Sequence, residues 1–139
     1  MRSRDCCLAI VQDLQRAGHV CLELCLKGTK NIAISICGRP DAQSDSADFI
    51  RIKDIGTIIC RGTVAGELKK LHLEQADGSL CFEDVLNFIG VPAHHKDIYE
   101  RALKSGLVIM ILQGSGESLR RGYGVLEGNA LEKPVLYLT

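Results

Sequence analysis

The sequence predicts a single α/β domain, a two-layer sandwich in which helices pack on a mixed sheet. Three observations carry that expectation. From Phe82 to Gln113 the chain reads as a helix, a Gly-Val-Pro break, a second helix, a glycine stop and an apolar strand. Residues 31–37 place Ile32, Ile34 and Ile36 on one face, as a half-buried strand does. The 139 residues suffice for one ordinary core and are short for two, so one domain is expected over 1–139, with loops near 39–48 and 74–79.

Taken in order, a first helix is expected over residues 4–17. Ser3 is placed to cap it, Asp5 suits its first turn, and Cys7, Ile10, Val11, Leu14 and Ala17 recur at helical spacing, with Gly18 as the stop. Residues 19–26 (HVCLELCL) fit either a strand of a hairpin or a helix. The strand over 31–37 comes next, then a loop over 39–48, rich in Pro, Asp, Ser and Gln. Ile55–Cys60 is a short apolar segment, and Thr63 is placed to cap a short helix, Val64–Leu71.

The helix over 82–89 gathers Val85, Leu86, Phe88 and Ile89 on one face, and Gly90 and Pro92 end it. Pro92 also suits the first position of the next helix, 93–105, which turns Ile98, Ala102 and Leu103 inward. The opposite-charge pairs Lys96/Glu100, Asp97/Arg101 and Glu100/Lys104 support it at about 0.3 kcal/mol each. Gly106 stops that helix, and the strand over 107–113 opens with a continuous apolar run, the pattern of a strand covered on both faces. In the tail, Gly116–Arg121 can start a helix. Gly122, Gly124 and Gly128 are expected to keep it short, since each costs up to about 1 kcal/mol in a helix interior. Residues 134–138 read as a last strand.

Composition narrows the function classes. Lys plus Arg balance Asp plus Glu at 17 each, so no basic footprint for nucleic acid is expected. No apolar run approaches the ~20 residues that span a bilayer, so no membrane association is expected. Aromatic content is 4% with no Trp, which leaves the core to Leu, Ile, Val, Ala and Cys. The seven cysteines are an odd number, and MRSRDCCLAI lacks the apolar stretch of a secretory leader. Reduced thiols in a cytoplasmic protein are therefore expected, used mainly as small buried hydrophobes.

Three constellations are candidates for chemistry. Gly114, Ser115, Gly116, Ser118, Arg120 and Arg121 come after a strand and open a possible helix, a topology in which backbone N–H groups bind phosphate. Leu119 stands where a dinucleotide fingerprint has its last glycine, and no Walker lysine is present. His94, His95 and Asp97 are weak metal candidates, and an exposed polar helix start is the alternative. Cys21 and Cys25 share a face in either reading of residues 19–26, so a thiol-redox or metal module is a further alternative. Asp77-Gly78-Ser79 echoes half of a calcium loop, but Leu73 stands at its first ligand position. No nucleophile, base and orienter set is visible, so no catalytic residue and no cofactor is assigned.

The series LNFIGVPAHHKDIYERALKSGLVIMIL resembles the second half of the general stress protein 17M-like domain, a widespread bacterial α/β domain of unassigned biochemistry. The matching features are Gly90-Val91-Pro92, Tyr99-Glu100, Gly106 and Leu107–Leu112. LQRAGH at residues 14–19 is similar to the end of that family's opening helix. Together these cover about half the chain. The family begins with a strand, whereas this chain is expected to begin with a helix. The resemblance implies a non-enzymatic, stress-associated or regulatory domain related to ferredoxin-like folds, acting through association with itself or a protein partner. A small anionic ligand at Gly114–Arg121 is the alternative.

Overall fold

The computed structural model describes residues 5–27, 31–40, 48–75 and 79–138. Ser3, residues 41–47 of the first loop and residues 76–78 of the second lie outside the described residues.

The expected α/β sandwich is present, and its first element corrects the sequence reading. Residues 6–11 are a strand, β1 (Cys6–Val11), and the first helix is α1 (Leu14–Leu26). All six β1 residues are buried, which a one-sided helix could not achieve. An unbroken apolar run fits any period, so the helical spacing of Cys7, Ile10 and Val11 carries no information. The true start signal is Asp13, whose carboxylate accepts a hydrogen bond from the Arg16 N–H at 2.8 Å. Gly18 lies inside α1 with open space beside it, and residues 19–26 are helical.

β2 (Ile32–Gly38) runs parallel to β1, with β5 (Val108–Gly114) antiparallel between them. β5 and β6 (Val135–Tyr137) likewise flank β1, joined by α5 (Gly116–Glu127). These two interleaved split βαβ units give the strand order β2-β5-β1-β6, the ferredoxin-like arrangement. Between β2 and β5 the chain makes an excursion. It adds β3 (Asp48–Ile52) and β4 (Gly56–Gly62) to the sheet beside β2. It then forms α2 (Thr63–Leu73), α3 (Phe82–Ile89), a 3-10 turn (Ala93–His95) and α4 (Lys96–Lys104).

Two details differ from expectation. Every ladder between the named strands is antiparallel, so the sheet is not mixed. Helices also cover both faces, giving three layers rather than two. Cys6, Leu8, Ile10, Ile109 and Ile111 pack under α2, α3 and α4, while Cys7, Ala9, Val11, Val108, Met110 and Leu112 pack under α1 and α5. Central strands that are apolar in both directions need two covers.

Helix phases show smaller departures. α3 has the expected bounds and ends at Gly90, φ +96°. In α4 it is Tyr99 that is buried, while Ile98 is 45% exposed. Ala102 and Leu103 are buried as expected, and Tyr99 completes that face with its hydroxyl 2.6 Å from Tyr137 Oη. Glu100 pairs with Lys104 at 3.8 Å, but Lys96 reaches Glu83 on α3 at 3.3 Å. α5 runs through Gly122 and Gly124 instead of stopping early. A Cβ on Gly122 would lie 2.8 Å from Leu112 Cδ1, so glycine lets the helix sit close on the sheet. No described helix is long and apolar enough to cross a membrane.

Candidate functional site

The site begins at Gly62. Its φ is +99°, and a Cβ there would collide with the Ile34 carbonyl oxygen, so only glycine lets β4 turn into α2 so close to β2. Thr63 makes no side-chain cap. The cap comes from β2: Ser35 Oγ, 1% exposed, accepts from the Val64 N–H at 2.9 Å. The hydroxyl satisfies one orphan donor of the helix and fixes where α2 starts.

So anchored, α2 packs over β3, β4 and β2, while α3 packs on α4, which covers β5. Between α2 and α3 lies a cavity of about 780 Å³. Thr63, Glu67 and Leu71 recur every four residues and form its α2 wall, and Gln75, just past the end of that helix, extends it. Asp84, Asn87 and Phe88 form its α3 wall, and Ala33, Gln113 and Gly114 contribute from the sheet. Among the described residues no Lys, Arg or His lines it, and its two carboxylates are Glu67 and Asp84. The sequence does not reveal this groove. The four-residue spacing on α2 is visible there, but nothing local says that the stripe faces a second helix across a gap.

The expected ligand residues divide between the two faces of the sheet. Gly114 ends β5 and borders the groove. Ser115 caps α5, accepting from the Ser118 N–H at 3.2 Å, and its own hydroxyl donates to Ser118 Oγ at 3.1 Å. Arg121 is paired with Glu117 at 2.9 Å. Arg120 Nη1 and Asp5 Oδ2 both lie beside Gly116. The turn thus carries acidic and basic groups together at the start of a helix on the α1/α5 face.

His94 and His95 part company. His94 is exposed, whereas His95 is half-buried with its Nδ1 2.7 Å from Tyr137 Oη, and Tyr137 Oη lies 2.6 Å from Tyr99 Oη. Burial pushes the Tyr99 phenol far above its ordinary range, and the hydrogen bond to Tyr137 adds to that. Burial raises Tyr137 as well. Both hydroxyls stay neutral, and the chain of hydrogen bonds ties the start of α4 to the edge strand β6. Asp97 is exposed, and no group of three or more metal-ligating side chains occurs among the described residues.

None of the seven cysteines is in a disulfide. Cys6, Cys7, Cys37 and Cys60 are buried, Cys21 is half-buried, and Cys25 and Cys81 are exposed. Burial pushes the Cys6 and Cys7 thiols up to about 12. They are core atoms, not nucleophiles. No family model, no curated protein and no solved structure matches the chain.

Proposed function

We propose that this chain is a non-enzymatic small-ligand-binding domain that holds an amine-bearing cation in the groove between α2 and α3. One observation carries the reading: a cavity of about 780 Å³ is lined by the carboxylates of Glu67 and Asp84 together with the amides of Asn87 and Gln113. Its volume falls within the roughly 300–1,000 Å³ of small-molecule sites. Carboxylates and amide oxygens accept hydrogen bonds from an ammonium group, and Phe88, also in the lining, is an aromatic of the kind that attracts such a charge.

Thermal melting of the full chain tests this against linear diamines and polyamines, sodium chloride at matched ionic strength, and a panel of nucleotides and phosphate. The amines are expected to raise the melting temperature saturably, and ligand at 100 times its Kd stabilises by about 2.7 kcal/mol. Glu67→Gln combined with Asp84→Asn is expected to remove the effect. A response to phosphate or nucleotide alone would move the ligand to Gly114–Arg121 and overturn the groove reading, as would no response to any amine.

A second reading is favoured by α1. Leu22 and Leu26, one turn apart, are 60% and 77% exposed. Self-association through that helix face accords with the association expected from the stress-protein resemblance. Light scattering that gives a monomer at every concentration, unchanged by Leu22→Glu and Leu26→Glu, would eliminate it.

A further inference from the structure

The sheet holds a pair of thiols that the groove does not use. Cys37 on β2 and Cys60 on β4 stand directly opposite each other in the antiparallel ladder. Their Sγ atoms are 3.0 Å apart. Opposed residues in such a ladder have Cα atoms about 4.5 or 5.5 Å apart, both within the range a disulfide spans. Closing the bond to ~2.05 Å needs an approach of about 1 Å, within reach of side-chain rotation. The other neighbouring thiols lack this geometry. Cys6 and Cys7 are consecutive on β1 and belong to opposite faces of the sheet. Cys21 and Cys25 are one turn apart on α1, where Cβ atoms lie about 5–6 Å apart, beyond the ~3.5–4.5 Å of a disulfide.

We propose that Cys37 and Cys60 are an oxidisable pair that closes to a cross-strand disulfide when a small peroxide reaches the sheet. One sulfur attacks the peroxide O–O bond, becoming a sulfenic acid as hydroxide leaves. The second sulfur then attacks the sulfenic sulfur, the S–S bond forms, and water leaves. In sum, two thiols and one hydrogen peroxide give one disulfide and two waters. Each sulfur loses one electron and the peroxide gains two. The pair is 5% and 1% exposed, so the reagent must be small. β4 lies beside the edge strand β3, which shortens the path from solvent. The bond would fasten β2 to β4 two residues from Ser35 and Gly62, the two residues that set the start of α2.

The test uses the unmodified full chain. It is treated with hydrogen peroxide, remaining thiols are alkylated after denaturation, and the chain is cut with trypsin, which parts the two cysteines at Arg51 and Lys53. The expected product is a monomer containing one linked peptide pair, Cys37 with Cys60, lighter by two hydrogen atoms and restored by dithiothreitol. Exposed Cys25 and Cys81 report that the reagent acted. Full alkylation of Cys37 and Cys60 while Cys25 and Cys81 are oxidised would overturn the proposal, as would linkage of either to a different cysteine. Cys37→Ser is expected to abolish the linked pair, and persistence of a bridge to Cys60 in that variant would also overturn it.

Discussion

Ser35 and Gly62 act as one device. Gly62→Ala must place a methyl where the Ile34 carbonyl oxygen stands, at a φ that side chains disfavour. It is expected to cost roughly 3 kcal/mol in urea unfolding. Ser35→Ala leaves a buried N–H on Val64 without its acceptor, at a cost of about 1–2 kcal/mol in the same measurement. A loss below a few tenths for Ser35→Ala would show that the cap is dispensable. Neither role is legible in the sequence. The local pattern points to Thr63, and the cap that forms comes from a residue 29 positions before its partner. Tyr99 and Ile98 teach the same lesson. Both are apolar enough to face inward, and the buried one, Tyr99, has its hydroxyl 2.6 Å from that of Tyr137 on a strand distant in sequence.

Among the elements, α3 and β5 are legible because their boundaries are punctuated, at Gly90, Pro92, Gly106 and Gly114. β1 is not, because six apolar residues in a row have no period to read. α5 is longer than expected because helix propensity alone does not describe its glycines. Their surroundings differ sharply. A Cβ at Gly124 meets nothing within 4 Å, whereas one at Gly122 crowds Leu112 and, at 3.3 Å, Ile32 Cδ1. Gly124→Ala is therefore expected to stabilise the fold by up to about 1 kcal/mol. Gly122→Val, whose branched side chain must displace the Leu112 and Ile32 side chains or lift α5, is expected to destabilise it by about 1–3 kcal/mol. Paired thermal melts of the two variants check this, and equal shifts would contradict the packing argument. The groove is invisible at this scale, since its two walls come from separate elements.

For the whole molecule, burial of ionisable hydroxyls and thiols sets an alkaline limit. Cys6 and Cys7 titrate near 9.0 in the unfolded chain and near 12 when folded. Between those values the unfolded chain has released protons that the folded chain still holds, so stability falls as pH rises. Below pH 9 these groups contribute no slope. Tyr99 and Tyr137 act with the same sign. Melting temperature is expected to drop steadily from about pH 9 towards pH 12, and Cys7→Ala is expected to make the drop shallower. An unaltered slope in that variant would place the cause elsewhere. The three-layer plan is also what makes the excursion between β2 and β5 possible. It leaves from Gly38 and returns at Val108, whose Cγ2 lies 3.0 Å from where a Gly38 Cβ would stand. Its ends are therefore already neighbours, and a short turn could join them in place of residues 39–107. Such a minimal chain would keep the βαββαβ path and both helices of the α1/α5 face. It would lose α2, α3 and α4, leaving Leu8, Ile10, Ile109 and Ile111 open to water. The segment that looks most removable by connectivity is thus the lid over half the core, and its deletion should yield an aggregating sheet, not a smaller soluble fold.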